Sequence, residues 1–221
     1  EIDCTFDPDQ GEKLQDMHGR IKDLALQAAN SGKQIFLSDR GILKGRVDGS
    51  VVLAADIVTR YLKDKKVVGT SVNVSLANLP DPHTAACLGD VGVKLINGWG
   101  TEEIIANNHK KEIVDVTSET YQEIPYYGDL TLDQAIANFN KAMNVSLAKI
   151  ISKQGIQSYE AFIGSCGFHY TDIDQSSMDY IGAGQSRIGG TSLEDYEDRL
   201  VSQHANASPS SLVPDLSLIH I

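Results

Sequence analysis

Residues 15–41, QDMHGRIKDLALQAANSGKQIFLSDRG, contain the pattern that decides the fold class. Apolar residues recur at helical spacing over residues 15–30, and Ser31-Gly32 follows as the end of a helix. Residues 33–37 then form a short apolar run typical of a buried strand, which the polar turn 38–41 closes. The stretch therefore predicts a helix followed by a strand. The apolar helical positions are Met17, Ile21, Leu24, Ala25 and Ala28.

The same alternation of helix and strand continues towards residue 96. Helical spacing returns at 51–62, a β-rich run follows at 67–76, and a short helix at 83–90 leads to an apolar strand at 91–96. Helices that alternate with strands through connections of a few residues are typical of parallel βαβ units. This half of the chain therefore predicts an α/β domain.

Residues 97–130 interrupt this regularity and are rich in Glu, Asn, Tyr and Gly, which indicates a boundary or a connecting segment. Thr131 then begins a long amphipathic helix that is predicted to run to about Ser152 and to stop at Gly155. Two further helices, at 158–163 and 193–201, are predicted around a short strand at 178–181.

These elements divide the chain into three portions. Residues 1–124 are the first α/β portion, 125–204 are a second βα portion, and 205–221 are a disordered or artefactual tail. The tail is set apart because its composition turns to Ser, Ala, Asn and Pro.

Composition and charge exclude several classes of partner. The 221 residues are 41% hydrophobic, which is sufficient for a buried core. The formal net charge is -11 and the 19 Lys and Arg residues are scattered, so no nucleic-acid or anionic-membrane partner is expected. No apolar run approaches the roughly eighteen residues that a membrane span needs.

The cysteines predict a reducing compartment. Cys4, Cys87 and Cys166 are odd in number and lack the spacing of a zinc or disulfide framework, so all three are expected to be free thiols and the protein to be cytoplasmic. The chain opens on a predicted strand without an initiator Met, which suggests a piece of a longer polypeptide.

Two segments offer charged or hydroxyl groups where ligands commonly bind. Residues 38–41 place an acid and a base after a strand, as in a ligand site, whereas the alternative is an Asp that caps the next turn and an Arg paired to a carboxylate. Ser152, Lys153 and Gly155 end an apolar segment at which a flavin ring or its phosphate would be bound, or they form an ordinary helix end with a solvated Lys.

The remaining candidates are weaker. Residues 182–187 contain Gly-Ala-Gly without the third Gly or the acidic residue of a nicotinamide site, so a turn is the alternative. His83 follows Asp-Pro at a helix start and has no partner at metal-ligand spacing. His109 and His169 are equally isolated, and Cys166 is at most a candidate nucleophile.

Five motifs in one order resemble the large subunit of glutamate synthase. Leu37–Gly41 matches the LSDRG turn of that family and Ser186–Gly190 matches its SRIGG segment. The other three similar segments are residues 1–6, residues 82–93 and residues 149–156, so the similarity runs from residue 1 to about 204. Departures from the family pattern include Thr84, Gln154 and Gln157.

The resemblance implies a fold and an activity. The fold would be a barrel-like βα central domain followed by the first βα units of a TIM (β/α)8 barrel that binds FMN. The family enzyme transfers the amide nitrogen of glutamine reductively to 2-oxoglutarate, with electrons carried by FMN and a 3Fe-4S cluster. The resemblance further implies that this piece holds the domains in register and lines the ammonia route, and that alone it binds neither cofactor.

The resemblance also implies site residues and partners. Flavin contacts would come from loops after the barrel strands. The partners would be the other domains of the same chain and an electron-donor subunit or ferredoxin. Two alternatives are a scaffold or interaction module that lost its flavin, and part of another FMN oxidoreductase. The implied flavin-binding residues are Ile151, Ser152, Lys153, Gly155, Ser186 and Arg187.

Overall fold

The computed structural model describes residues 1–77, 81–110, 112–113, 124–125, 130–186 and 188–206. The helices are α1 Leu14–Asn30, α2 Val51–Asp64, α3 Pro82–Asp90, α4 Trp99–Lys110, α5 Leu132–Lys153, α6 Tyr159–Phe162, α7 Gln175–Ile181 and α8 Leu193–Asn206. The strands are β1 Ile2–Asp3, β2 Thr5–Phe6, β3 Ile35–Ser38, β4 Val47–Asp48, β5 Val72–Ser75, β6 Ile96–Asn97, β7 Glu112–Ile113 and β8 Ile124–Pro125. Short 3-10 helices lie at Pro8–Gln10 and Arg40–Lys44.

A parallel four-stranded sheet in the order β1-β3-β5-β6 organises the first part of the chain. Because side chains alternate along a strand, the in-register residues Leu37 and Val74 lie on the same face. This face packs against α1 and α2, and its residues are buried in one apolar core. The prediction of an α/β domain with parallel strands is confirmed.

Helices α1, α2 and α5 agree closely with the sequence patterns that predict them. Ser31 follows α1 and its N–H donates to the carbonyl oxygen of Ala28, while Gly32 adopts a φ of +67°, as expected for a helix end. Thr131 begins α5 with a capping box in which its side chain accepts from the N–H of Gln134.

Two strand predictions are wrong: one segment is helical, and the other contains a much shorter strand. Residues 178–181 belong to α7, because the side chain of Asp174 accepts from the N–H of Ser177 at its start and Gly182 ends it with a φ of +74°. The predicted strand at 91–96 is reduced to Ile96–Asn97, because the N–H of Val93 bonds back to Leu88 in α3. The interval 97–130 also contains helix α4, which its composition did not predict.

The second portion packs onto the first. Ile181 and Leu193 are buried in the same apolar core as α1 and α2. The described residues between 130 and 206 form helices and a single parallel bridge, Ile173–Thr191, so they show no βα barrel unit. The structure thus has the predicted α/β sheet, and no closed barrel is seen in the part of the chain that it describes. Of the residues around the predicted boundary at 124, only Ile124–Pro125 is described, and residues 114–123, 126–129 and most of the predicted tail lie outside the described residues.

Among the described helices, none combines the length and the apolar character that crossing a membrane requires.

Candidate functional site

A cavity of about 530 Å³ lies where α5 ends and α6 begins, and we call it the α5–α6 cavity. Three of the residues predicted to contact flavin, Ile151, Ser152 and Gly155, line it. Ile151 is buried and packs with Ala86 and Phe162 in a second, smaller apolar cluster. The other lining residues are Asn144, Leu147, Ala148, Ile156, Gln157, Ser158 and Tyr159.

The helix α5 ends at the turn around Gly155, and residues of this turn line the cavity. The N–H groups of Gln154 and Ile156 both bond to the carbonyl oxygen of Ile151. Gly155 adopts a φ of +75°, which glycine tolerates without strain. Ser158 then accepts from the N–H of Ala161 and starts α6. Ile151, Ser152 and Lys153 therefore form the last turn of a helix, as the periodicity of this segment predicts.

The lining of the α5–α6 cavity suits a neutral group better than a phosphate. Its hydroxyl, amide and apolar side chains include no Lys or Arg. The carboxyl end of α5 also carries the negative end of the helix dipole, which disfavours an anion. Lys153, the last residue of α5, is exposed and does not line the cavity. Among the predicted flavin-binding residues, only Lys153 and Arg187 have positively charged side chains, and neither lines this cavity.

Ser186 lies in a different environment from the α5–α6 cavity. Its hydroxyl oxygen is 2.5 Å from the carbonyl oxygen of Ile173 and 2.8 Å from that of Ile188, and its N–H donates to the Gln175 side chain. These bonds fix the loop between α7 and α8. Arg187 lies outside the described residues. The structure therefore brings Ile151, Ser152 and Gly155 together in one cavity and does not bring Ser186 there.

Asp90, at the end of α3, connects the two portions of the chain. Its carboxylate is 1% exposed and accepts hydrogen bonds from the Ser165 hydroxyl at 2.5 Å, the Gly167 N–H at 2.7 Å and the Phe168 N–H at 2.9 Å. Three donors on one buried carboxylate compensate its loss of hydration. We call this set of contacts the Asp90 clamp. The sequence patterns did not indicate it, although Asp90 lies in one of the family-like segments.

A second polar connection joins α2 to the later helices. The buried Asp56 accepts from the Arg60 guanidinium at 2.8 Å and from the Tyr170 hydroxyl at 2.7 Å. Arg60 also donates to the carbonyl oxygen of Gly182. Burial, together with the Asp56 carboxylate, raises the pKa of Tyr170, so this hydroxyl stays a donor well above neutral pH.

The turn after β3 differs from the interpretation in which Asp39 caps the next turn and Arg40 pairs with a carboxylate. Asp39 is 3% exposed and does not cap the following turn with its side chain. Its carboxylate instead accepts from the Ala77 N–H at 2.6 Å and the Trp99 indole N–H at 2.9 Å. Burial raises the pKa of Asp39, and these two donors oppose the rise. Arg40 lies over the Trp99 ring, 5.1 Å from its centroid, rather than pairing with a carboxylate within 4.0 Å in the described structure.

His18, which is buried, and Asp48, which is half-buried, have shifted pKa values. Burial and, to a smaller extent, the nearby Lys22 lower the pKa of His18 to about 4. Burial and the Asp39 carboxylate raise the pKa of Asp48 to about 7, against the effect of a hydrogen bond from the Ser50 N–H. Neither group was singled out by the sequence patterns, because burial is a property of the fold.

The remaining candidates have structural surroundings. His83 is exposed, and Asp81 rather than His83 caps α3, by accepting from the N–H groups of His83 and Thr84. No group of three or more His, Cys, Asp or Glu residues forms a possible metal site within the described ranges. The three cysteines are free thiols, as predicted, and Cys166 is the exposed one.

The first part of the chain is an α/β domain with a four-stranded parallel sheet, and buried carboxylates join it to a helical portion. The chain belongs to the glutamate synthase central domain family, which matches residues 1–173. The resemblance given by the five motifs is thereby confirmed.

The similar proteins are much longer than this chain. The glutamate synthase (NADPH) large chain of Azospirillum brasilense is 29% identical over 217 residues, which cover 96% of this chain and 14% of the relative. The glutamate synthase (NADH) of Saccharomyces cerevisiae is 24% identical over 95% of this chain and 10% of the relative. The chloroplastic ferredoxin-dependent glutamate synthase of Spinacia oleracea is 27% identical over 82% and 11%, respectively. The chain thus spans 10% to 14% of these relatives.

Proposed function

We propose that this chain is the central-domain segment of a glutamate synthase and acts within a longer polypeptide. The reaction of that polypeptide is the reductive transfer of the glutamine amide nitrogen to 2-oxoglutarate, which yields glutamate. The family match over residues 1–173 supports this proposal. The three free cysteines fit a reducing compartment such as the cytoplasm.

The role of this segment is to hold neighbouring parts of the enzyme in register and to line the route of ammonia. The Asp90 clamp carries the first part of this proposal, because it fixes residues 165–168 to the end of α3. Asp56 and Arg60 fix Tyr170 and Gly182 in the same way. These contacts would orient the second portion, and any domain attached to it, relative to the sheet.

FMN and the 3Fe-4S cluster belong to the complete enzyme in this proposal. Bound FMN would supply the electrons for the reduction. Ile151, Ser152 and Gly155 would contact its neutral ring, since the α5–α6 cavity offers apolar and hydroxyl groups. Lys153 and Arg187 would supply the cations that the lining lacks, and Ser186 would order the separate loop between α7 and α8. Residues 125–204 would support the first part of the FMN barrel.

The partners in this proposal are the other domains of the same polypeptide and an electron-donor subunit or ferredoxin. The names of the relatives in Azospirillum, yeast and spinach specify NADPH, NADH and ferredoxin, respectively, so the choice of donor differs among them.

The complete polypeptide provides the test. We expect the purified protein to form glutamate from 2-oxoglutarate and glutamine when a reductant is present, and to contain FMN. Asp90→Asn should lower the glutamate formed per glutamine hydrolysed, because loosened domains lose ammonia to solvent. A flavin-free polypeptide without this activity would contradict the proposal and support the scaffold alternative.

A further inference from the structure

The amino ends of the parallel strands carry an exposed, positively charged surface, which we call the amino-end surface. Helices that connect parallel strands end at this side of the sheet, and α1, α2 and α3 do so here. The short connections after these helices lead into β3, β5 and β6. The surface consists of exposed residues from the ends of the helices and from the connections: Lys33, Lys63, Lys65, Lys66, Val68, Lys94 and Leu95.

This surface is a local exception to the charge of the chain. Residues 30–34, 63–71 and 91–95 contain these five lysines and a single acidic residue, Asp64, whereas the whole chain has a formal net charge of -11. None of the five lysines forms an ion pair within 4.0 Å with another of the described residues. Their ammonium groups are therefore available to a partner.

The helix dipoles account for only part of this charge. A lysine stabilises the negative end of a helix dipole when it lies in the last turn of that helix. The last turn of α2 contains Lys63, but the last turns of α1 and α3 contain no basic residue. Lys33 and Lys94 lie in the connections beyond α1 and α3. Compensation of the dipoles thus explains Lys63 but not Lys33 or Lys94.

Two apolar side chains are exposed among these lysines. Val67 packs against the core and its N–H bonds to the carbonyl oxygen of Leu62, whereas the next residue, Val68, is 89% exposed. Leu95 is 52% exposed, although its carbonyl oxygen accepts from the N–H of Val74 in the sheet. Hydrogen-bonded backbone thus presents both side chains to solvent. Apolar groups bordered by charged ones are typical of surfaces that bind other proteins.

We propose that the amino-end surface docks an acidic polypeptide surface that also carries apolar side chains. Carboxylates of the partner pair with the five lysines, and its apolar side chains cover Val68 and Leu95. This surface is separate from the α5–α6 cavity, and its role does not depend on the proposed catalytic activity of the polypeptide.

The composition of the surface favours a protein over a nucleic acid or a membrane. It contains no Arg, the residue that binds phosphate groups through two parallel hydrogen bonds. A nucleic acid or an anionic membrane also extends well beyond these residues, where the net negative charge of the chain repels it. A protein partner instead matches both the lysines and the apolar side chains.

Two acidic peptides test the proposal. Fluorescence anisotropy measures the binding of labelled (Glu-Glu-Leu)4 to the chain, and (Glu-Glu-Ser)4 has the same charge without the apolar side chains. We expect saturable binding of (Glu-Glu-Leu)4 that weakens as salt is added, since salt screens exposed charges. The Ser peptide should bind about threefold to tenfold more weakly, because it leaves Val68 and Leu95 uncovered.

Matched variants separate this surface from general effects of charge. Lys66→Gln combined with Lys94→Gln should weaken (Glu-Glu-Leu)4 binding by about threefold to tenfold. Lys141→Gln combined with Lys149→Gln makes the same charge change at exposed residues of α5 and should leave the affinity unchanged. Val68→Ser should reduce the preference for the Leu peptide over the Ser peptide. Circular dichroism verifies that each variant is folded.

The proposal is overturned if (Glu-Glu-Leu)4 shows no saturable binding at millimolar concentration, or if the two double variants weaken binding equally. Equal affinity for the two peptides would also overturn it, since that result describes an attraction of charges alone. Tighter binding of a DNA duplex or of phosphatidylserine vesicles than of (Glu-Glu-Leu)4 would instead assign the surface to a nucleic acid or a membrane.

Discussion

The carboxylate of Asp90 lies 2.7 Å from the amide nitrogen of Gly167, a residue 77 positions further along the chain. Asp90 also accepts from the Phe168 N–H and from the Ser165 hydroxyl, so one buried side chain satisfies three donors. The contact joins the end of α3 to the segment that precedes α7.

Asp90→Asn is therefore expected to destabilise the protein. The amide has one acceptor oxygen instead of two, and its NH2 group faces backbone N–H donors. Loss of a charged, buried hydrogen-bonded contact costs about 2 to 4 kcal/mol of the free energy of unfolding. Urea unfolding measures this change. Asp64→Asn, at an exposed position in α2, is the matched control and should alter stability by less than about 0.5 kcal/mol.

The raised pKa of Asp48 predicts a pH dependence of stability. The folded state holds a proton on Asp48 up to about pH 7, whereas the unfolded chain releases it near 3.8. The contribution of Asp48 is therefore fully present below pH 3.8 and is lost as the pH rises through 7. Asp48→Asn should remove this loss and make the protein more stable than the parent at pH 8. Thermal unfolding from pH 5 to pH 8 measures it, and equal pH profiles for the two proteins would contradict the shift.

His18 should produce the opposite slope. Its pKa is lowered from 6.5 to about 4 in the folded state, so the unfolded chain binds the proton first as the pH falls. Stability from His18 is present above pH 6.5 and is lost as the pH falls towards 4. The Asp48→Asn background isolates this effect, because Asp48 titrates over an overlapping range. In that background, His18→Gln should reduce the remaining pH dependence of the free energy of unfolding. If the slope against pH is unchanged, another group is responsible for that dependence.

Two glycines should respond oppositely to alanine. A Cβ atom at Gly100 would overlap the backbone of Ala77, including its carbonyl oxygen, and would push the start of α4 away from β5. Gly100→Ala is expected to cost about 1 to 3 kcal/mol and to change Trp99 emission. Gly19, exposed in α1, has nothing within 4 Å of such an atom. Gly19→Ala should stabilise the helix by about 0.5 to 1 kcal/mol, as denaturant titration would show.

Lys153 tests the flavin assignment in the complete polypeptide. If its charge reaches the cofactor, Lys153→Ala weakens FMN binding by about tenfold to a hundredfold with little loss of stability. Flavin titration of the apoprotein measures this affinity. Lys149→Ala, one turn earlier in α5 and also exposed, is the control that should leave FMN affinity unchanged. Equal affinities for both variants would remove Lys153 from the site.

The sequence predicts those parts of the fold that depend on neighbouring residues. Periodicity located α1, α2 and α5 almost to the residue, since their caps and apolar spacing agree. The apolar run 178–181 was ambiguous because Met178 and Ile181 suit both a strand and one face of a helix. Asp174 and Gly182 decide in favour of the helix, four residues before and one after that run.

The sites depend on contacts that no local pattern contains. The family resemblance selected Ile151, Ser152 and Gly155, and all three line one cavity. The partners of Asp90, and Tyr170 as a partner of Asp56, lie more than 70 residues away, so these contacts follow only from the packing of the later part of the chain. The role of Trp99 could not be predicted either, because it depends on contacts with Asp39 and Arg40, which lie far from it in the sequence.

The shared core has a consequence for synthesis on the ribosome. The α/β sheet and α3 are translated well before Phe168, Tyr170 and Leu193, which complete their contacts. During that interval the carboxylates of Asp56 and Asp90 lack the hydrogen-bond donors that come from later residues. The apolar surface that Ile181 and Leu193 cover in the folded protein is also exposed. The nascent sheet is therefore vulnerable to aggregation until α7 and α8 emerge, and slow translation of residues 91–193 would prolong its dependence on chaperones.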